Sequence, residues 1–214
     1  MLILASASPR RRELLAQAGF AFEVRPAHVN EDPKPGEDAI AYVTRLAREK
    51  AQAVFDAISR DGAESGSHPF AKSGRMDGAP SDALVVLGAD TTVEVDAQIL
   101  AKPEDAADAA RMLRLLSGRT HRVMTGVAVV TKGRAEVAAE VTGVRFVTLS
   151  DAEIAAYVAT GEPMDKAGAY AIQGRAGRWI PRVEGCYFNV VGLPLALVTT
   201  MLECVRAATA PQAN

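Results

Sequence analysis

The sequence predicts an α/β domain in which buried strands alternate with alanine-rich helices. Apolar runs rich in Val, Ile and Leu, such as residues 84–87 and 122–130, have the composition of buried strands. Between them, apolar residues recur at three- and four-residue steps, as on one face of a helix. With 214 residues, 49% of them hydrophobic, the chain is long enough to bury one large core. We therefore expect a single domain over residues 1–207.

Start and stop signals place the elements along the chain. Ser8 is a typical N-cap, and Pro9 suits the first helical position. Asp38 can cap a second helix, while Ser150 and Glu153 have the spacing of a capping box. The expected order is a strand at 2–5, a helix at 9–19, an extended segment at 22–26, a helix at 38–58, strands at 84–87 and 93–100, a helix at 103–117, strands at 122–130 and 138–149, a helix at 150–160, strands at 179–183 and 187–190, and a helix from 193.

Two segments break this alternation. From residue 59 to residue 82 the composition shifts to Gly, Ser, Asp, Ala and Pro without a period, which predicts a flexible insertion on the surface. Residues 208–214 are expected to form a disordered tail, as chain termini without apolar anchors often do.

The charge balance and the cysteines exclude several classes of protein. Lys and Arg number 24 against 26 Asp and Glu, so the net charge is -2 and no overall positive field would attract nucleic acid. The apolar start has no basic segment before it and meets three arginines at 10–12, which argues against a signal peptide or a membrane span. Cys186 and Cys204 form no CxxC pair, so neither a zinc site nor a disulfide framework is predicted, and a reducing, cytoplasmic compartment is expected.

The start of the first helix is a candidate phosphate site. Arg10, Arg11 and Arg12 lie in its first turn, where the helix dipole makes each arginine unfavourable by roughly 0.3–1 kcal/mol unless an anion binds. Backbone N–H and guanidinium groups both suit phosphate oxygens. The GxxxxGK[ST] and GxGxxG strings are absent, so the site is neither a P-loop nor a Rossmann fingerprint. The arginines can equally be solvated surface charge, and this helix alone does not decide between the two.

Two carboxylates are candidate metal ligands. Asp90 follows the strand at 84–87, where an open α/β sheet usually presents its site residues, and Glu31 follows the extended segment. Mg²⁺ is commonly held by one or two carboxylates together with substrate phosphates. A single Asp at such a place is more often a cap or turn residue, and a glutamate like Glu31 is more often a loop charge.

Three further polar residues complete the candidate site. Lys50 interrupts the apolar stripe of the second helix, Lys102 precedes a helix entrance, and Gln173 can hydrogen-bond a base edge as donor and acceptor. Lys50 can instead extend its stem along the surface, and the segment around Gln173 is by itself typical of a turn.

Other kinds of catalytic site have weaker support from the sequence. The histidines lack HExxH spacing, no GxSxG elbow exists and Cys186 has no identified histidine partner.

Most of these candidate site residues lie in blocks that resemble the Maf family of nucleotide pyrophosphatases. The blocks follow in order from the first strand to the last helix: LASASPRRRELL at 4–15, RLAREKA at 45–51, LGADTTV at 87–93, ILAKP at 99–103, MLRLLSGRTHRVMTGVAV at 112–129, DKAGAYAIQG at 165–174 and VVGLPL at 190–195. The resemblance implies a mixed, elongated sheet flanked by helices, with two lobes around a cleft, in a protein that is often a homodimer. It also implies hydrolysis between the α- and β-phosphates of a nucleotide with a divalent cation, Mg²⁺ or Mn²⁺.

The resemblance also implies roles for individual residues. Asp90 matches the family's proton acceptor, and Glu31 matches another of its polar site positions. Thr91 and the tyrosine and IQG of the DKAGAYAIQG block look like the branch that acts on dTTP and UTP. The positions expected to bind phosphate are Ser6, Arg10, Arg11, Lys50 and Lys102, and those expected to set the base preference are Arg10, Thr91 and Gln173.

Two alternatives stay open beside hydrolysis of dTTP and UTP. One is a nucleotide-binding regulator of septum formation that needs no catalysis, and the other is a pyrophosphatase that clears modified or non-pyrimidine nucleotides. The segment at 59–82 is longer than the family's usual connection and can cover the cleft. Cys186 and Phe188 stand where a serine and a histidine are common, and neither departure removes a candidate catalytic group.

Overall fold

The computed structural model describes residues 1–64 and 84–209, and these residues form the predicted α/β fold. Its strands are β1 (Leu2–Leu4), β2 (Glu23–Val24), β3 (Val85–Val95), β4 (Gln98–Leu100), β5 (Thr120–Thr131), β6 (Arg134–Arg145) and β7 (Arg182–Glu184). Its helices are α1 (Pro9–Gln17), α2 (Ala39–Glu64), α3 (Ala106–Leu116), α4 (Asp151–Val158), α5 (Tyr187–Val191) and α6 (Leu195–Thr209). Short 3₁₀ helices at Glu162–Asp165, Ala167–Ala169 and Arg175–Trp179 connect α4 to β7.

The sheet is mixed and has the order β2-β1-β3-β5-β6-β7, with β4 paired to β3. Three long antiparallel strands, β3, β5 and β6, form its centre, and in their register Thr91 lies opposite Thr125. At one side, β1 runs parallel to both β2 and β3. The mixed sheet that the resemblance implied is therefore confirmed.

One edge of β3 is open in the middle of the strand. β1 pairs with Val85 to Leu87 at one end of β3, and β4 pairs with Val93 to Val95 at the other. Between Leu87 and Val93, no strand of the described chain covers this edge, although β5 pairs along the opposite one. The interval forms the floor of a cleft.

Separate cores support the two walls of this cleft. One core packs Leu4 of β1 and Leu15 of α1 against α6. The other packs α3 and α4 against the buried aromatic rings of Phe146 and Trp179. Because each wall is built on its own close-packed core, the side chains on either side of β3 are held in fixed positions.

Helix α2 lies unusually close to the sheet because two glycines leave room for its backbone. A Cβ atom on Gly88 would lie 2.2 Å from the Ala47 carbonyl oxygen, and one on Gly126 would lie 2.2 Å from the Val43 carbonyl oxygen. Neither distance is possible for a real side chain. The glycines therefore set the depth at which α2 presents Lys50 to the cleft.

Gly126→Ala tests this close packing. We expect a loss of stability of about 1–3 kcal/mol, because the added methyl meets helix backbone rather than a flexible side chain. Gly143→Ala is the matched control, since the nearest atom to its Cβ would lie at 3.7 Å. Urea denaturation of both variants measures the difference, and equal stability losses would contradict the packing argument.

Several sequence predictions are wrong. Helix α2 continues to Glu64, so residues 59–64 are helical rather than part of a loop; good helix formers such as Arg60 and Ala63 outweigh one glycine, which costs about 1 kcal/mol. β3 does not end at Gly88 but continues through it. Residues 187–190 lie in α5 and not in a strand, and residues 179–181 precede β7 rather than forming it. Residues 65–82 of the predicted insertion lie outside the described residues.

Two predicted helix starts are confirmed. Ser8 caps α1 with Pro9 in its first turn, and Ser150 and Glu153 form the capping box of α4. α6 extends to Thr209, two residues into the predicted tail, and residues 210–214 lie outside the described part. Among the helices described here, none is both long and apolar enough to cross a membrane.

Candidate active site

The cleft contains a cavity of about 380 Å³ over the open edge of β3. Its walls come from the turn after β1, the first turn of α1, the middle of α2, the end of β4 and the segment that leads to Gly174. Every residue predicted for the site lines this cavity: Ser6, Arg10, Arg11, Glu31, Lys50, Asp90, Thr91, Lys102 and Gln173. Residues far apart in sequence are thus brought to one place.

Lys50 joins the two predicted metal ligands. Its Nζ lies 2.7 Å from Oδ1 of Asp90 and 2.6 Å from Oε1 of Glu31. Lys50 and Asp90 are buried, whereas the side chain of Glu31 is 51% exposed at the mouth of the cleft. A buried lysine needs such partners, because an unpaired charge in the interior is costly.

The surrounding charges change the acidity of Glu31. Burial alone would raise the pKa of its carboxyl group, but the hydrogen bond from Lys50 and the charges of Lys50, Lys102 and Arg11 together lower the pKa below the usual value of 4.5. Glu31 is therefore an anion at neutral pH. Tyr42, whose hydroxyl donates to the Glu31 carbonyl oxygen at 2.9 Å, has its pKa raised to about 12 by burial and by the nearby carboxylates.

The donor atoms fit a hard divalent cation. Oxygens of Glu31 and Asp90 converge on one point, where the Lys50 ammonium group lies. Carboxylate oxygens suit Mg²⁺ and Mn²⁺, and two of them suffice when substrate phosphates supply further oxygens. Within the described part of the chain, no group of three or more His, Cys, Asp or Glu residues could hold a metal alone. The arrangement therefore matches a cation that is completed by its substrate.

Arg11 turns towards the protein. Its Nε donates to the Gly192 carbonyl oxygen and Nη1 to the Ala89 carbonyl oxygen, each at 2.8 Å. Nη1 also donates to Ser6 Oγ at 3.3 Å, and Nη2 donates to Thr91 Oγ1 at 2.9 Å. Burial lowers the pKa of Arg11, an effect that the charge of Asp90 opposes. These bonds fasten α1 to the open edge of β3 and to the turn before α6.

Arg11→Lys tests this fastening. One ammonium group cannot reach acceptors that a planar guanidinium contacts on several sides, and each buried acceptor left unpaired costs about 1–3 kcal/mol. We expect a loss of stability of at least that size in chemical denaturation. Arg12→Lys, at the exposed position beside it, should change stability by less than about 0.5 kcal/mol. Equal effects of the two substitutions would show that Arg11 has no such structural role.

Two further cationic residues of the cavity, Arg10 and Lys102, differ in their exposure to solvent. Arg10 is half-buried and Lys102 is exposed, and both side chains line the cavity. Tyr42 also lines it and was not named from the sequence; Asp165 and Lys166, which form an ion pair in the lining, belong to the block at 165–174 but were given no role of their own. The eight-residue spacing of Tyr42 and Lys50 on α2 is the signal that predicts a shared face. Among the described residues, the cavity thus has five cationic side chains, at positions 10, 11, 50, 102 and 166, and three carboxylates, at 31, 90 and 165.

Successive side chains of β3 point to opposite faces of the sheet, so the cavity has two different sides. Asp90 faces α2 and Lys50, and Thr91, the next residue, contacts Arg11 and Thr125 on the opposite face of the sheet. The Asp90 side carries charged groups. The Thr91 side adds apolar surface from Val123, Ile172, Val190 and Val191. Gln173, which follows Ile172, is exposed and also lines the cavity.

Comparisons with known proteins give a consistent result. The model of a family described as "Maf-like protein" matches residues 1–205. A protein of Koribacter versatilis named "dTTP/UTP pyrophosphatase" is 50% identical over 202 residues, which are 94% of this chain and 93% of that protein. Proteins with the same name from Chromobacterium violaceum and Salmonella typhimurium are each 49% identical, covering 91% and 96% of this chain and 89% and 93% of their own lengths.

Proposed function

The chain belongs to the family of Maf-like proteins, and from that premise we propose that it hydrolyses dTTP and UTP to the nucleoside monophosphate and pyrophosphate. The observation that carries the proposal is the pair of carboxylates, Glu31 and Asp90, joined by Lys50 inside a cleft rich in cations. The relatives named dTTP/UTP pyrophosphatase support the choice of substrate.

The charge of the cavity suits this substrate. Its five cationic side chains exceed its three carboxylates by two. A nucleoside triphosphate with one divalent cation carries about two negative charges, so the complex would be nearly neutral, and in a partly dry site such neutralisation is strongly favourable. With a net charge of -2, the chain has no overall positive field that would attract nucleic acid.

In the proposed mechanism, Arg10, Lys102 and the Ser6 hydroxyl bind the phosphates. Asp90 accepts the proton of the attacking water, since Lys50 contacts Oδ1 and leaves the other oxygen for this role. Arg11 keeps the turn after β1 at the correct distance from β3. Glu31 and Asp90 would hold the divalent cation, whose chemistry is to neutralise the phosphates and polarise the attacked phosphorus. Electrostatic stabilisation and positioning account for most of the expected acceleration.

We propose that the base is selected on the Thr91 side of the cavity. Its apolar surface can contact a flat pyrimidine ring, and Thr91 and Gln173 supply hydrogen-bonding groups. Arg10 lines the same cavity, and the resemblance implies that it affects both phosphate binding and base preference.

A panel of nucleotides tests the proposal. Purified protein is incubated with dTTP, UTP, CTP, ATP, GTP and 7-methyl-GTP, with Mg²⁺, with Mn²⁺ or with a chelator, and kcat/KM is measured by pyrophosphate release. We expect turnover of dTTP and UTP that requires the cation. Turnover of another nucleotide alone would keep the reaction and contradict the base preference, and binding without turnover would favour the regulator of septum formation.

The homodimer that the resemblance implies and the cytoplasmic location expected from the cysteines are also proposals. Light scattering on the purified chain measures its mass in solution, and a mass equal to one 22.6 kDa chain across micromolar concentrations would contradict the dimer. Fractionation of cells that express the tagged chain tests the location.

A further inference from the structure

The hydroxyl group of Thr91 belongs to a series of hydrogen bonds that leads away from the cavity. Arg11 Nη2 donates to Thr91 Oγ1, and the hydroxyl oxygens of Thr91 and Thr125 lie 2.9 Å apart across β3 and β5. Thr125 Oγ1 in turn donates to the Asn189 carbonyl oxygen at 3.1 Å. Thr125 is fully buried and lies behind Thr91, so any influence it has on a ligand acts through Thr91.

The direction of these hydrogen bonds follows from the chemistry of their ends. A threonine hydroxyl has one hydrogen to donate and two lone pairs that accept. The Asn189 carbonyl oxygen can only accept, so the hydrogen of Thr125 points to it. Thr91 must then donate its own hydrogen to Thr125. The guanidinium group of Arg11 can only donate, and it uses one lone pair of Thr91. Thr91 can therefore offer a ligand one acceptor lone pair and no hydrogen.

Asn189 holds the far end of this series in place. It is fully buried, and its side-chain Nδ2 donates to the Val123 carbonyl oxygen and to Thr142 Oγ1, each at 2.9 Å. Thr142 Oγ1 also donates to the Cys186 carbonyl oxygen and accepts from the Cys186 N–H. Since α5 is fastened to β5 and β6 in this way, the carbonyl that orients Thr125 does not turn away.

A group that only accepts discriminates between pyrimidine bases. Uracil and thymine carry a hydrogen on ring nitrogen N3, whereas the N3 of cytosine is itself an acceptor. When its N3 faces Thr91, uracil or thymine can donate a hydrogen bond to the Thr91 hydroxyl oxygen. Cytosine would instead place the lone pair of its N3 against the lone pair of that oxygen. A buried polar group that meets the wrong partner is a strong basis for rejection.

We infer that Thr125 is a positioning residue for base selection: by accepting the hydrogen of Thr91 it makes Thr91 a pure acceptor, which selects bases that carry a ring N–H. The inference rests on the proposed function and extends it to a side chain that contacts no ligand. It identifies the recognised feature of the substrate as the N3–H of an imide.

Thr125→Val tests the inference directly. Valine keeps the shape of threonine but cannot accept, so the hydrogen of Thr91 becomes free to turn towards the cavity. The preference for UTP over CTP, as a ratio of kcat/KM values, should fall by about tenfold or more. Thr125→Ser keeps the hydroxyl group and should retain the wild-type ratio. A folded Thr125→Val protein with an unchanged ratio would overturn the inference.

A second comparison decides the matter if Thr125→Val does not fold. The triphosphate of pyrimidin-2-one riboside has no hydrogen on N3 and no substituent at C4, so it separates the effect of N3 from that of the cytosine amino group. Wild-type protein should prefer UTP to this analogue by about tenfold or more, and Thr91→Val should lose that preference. An equal preference in both proteins would overturn the inference.

The same experiments separate this inference from the proposed function. If the protein prefers GTP, the proposed pyrimidine substrate is wrong. The ratio of kcat/KM for GTP to that for ATP then takes the place of the ratio for UTP and CTP, because guanine carries a ring N–H and adenine does not. A wild-type preference for CTP or ATP overturns both statements. Dissociation constants give the same ratios for a protein that binds without turnover.

Discussion

Asp90→Asn is expected to abolish turnover, with a loss of about 10³-fold or more in kcat. Asparagine keeps the size of the side chain but accepts no proton and carries no charge for a divalent cation. The fold should persist, because Asp90 lies in the middle of β3, where paired backbone rather than the side chain holds the strand. Pyrophosphate release measures kcat, and circular dichroism with thermal unfolding measures the fold.

Asp96→Asn is the matched control for this prediction. Asp96 lies in the turn after the same strand, and its exposed carboxylate pairs with Arg119. The same chemical change outside the cleft should leave kcat within about twofold, since surface substitutions seldom exceed ±0.5 kcal/mol. Full turnover by Asp90→Asn would remove Asp90 from the mechanism.

Lys50→Met is expected to lower kcat/KM by about 100-fold. The substitution keeps the length of the side chain but removes the charge that joins Glu31 and Asp90, so the two carboxylates are left to repel each other. Lys34→Met is the control, because Lys34 is an exposed lysine paired with Glu49 at 3.4 Å. If both variants kept wild-type kcat/KM, the Lys50 bridge would have no catalytic importance.

Lys50→Met should also change the response to pH. In the wild type, Lys50 helps to hold the pKa of Glu31 below 4.5. A carboxyl group whose pKa is lower in the folded than in the unfolded protein stabilises the fold at pH values above its unfolded-state pKa. This contribution is lost as the pH falls through its folded-state pKa. Without Lys50 the pKa of Glu31 should rise, so the acid limb of the kcat/KM profile should move to higher pH. An unshifted acid limb would show that Glu31 does not control it.

Local signals in the sequence predicted a large part of this structure. The start of α1 follows from Ser8 and Pro9, and the start of α4 from its capping box, because caps act within one turn. Lys50 could be recognised as unusual because helical periodicity placed it on an apolar face, and a buried lysine requires a partner. The Maf resemblance then grouped residues that periodicity alone could not bring together.

Features that depend on tertiary contacts were not predictable in this way. Gly88 resembled the end of a strand, yet its role is to admit the backbone of α2, which no local pattern shows. The run from Tyr187 to Val191 has the β-branched and aromatic residues of a strand. It forms a helix whose buried Asn189 bonds to β5 and β6, so packing overrides propensity.

The adjacent arginines show a further limit of sequence reasoning. Arg10 and Arg11 have the same chemistry and neighbouring positions in α1, and both were predicted to bind phosphate. In the structure, Arg11 donates to the turn after β1, to β3 and to the turn before α6. Arg10 makes no such bond within the described part of the chain and lines the cavity. A helix turns by 100° per residue, so the direction of each side chain depends on what α1 packs against.

The most direct test of the central claim is the identity of the phosphorus products, followed by ³¹P nuclear magnetic resonance during turnover of UTP with Mg²⁺. Cleavage between the α- and β-phosphates predicts that UMP and pyrophosphate appear together in equal amounts, and that Asp90→Asn forms neither. Formation of UDP and orthophosphate instead would place the attack at the γ-phosphate and contradict the proposed reaction.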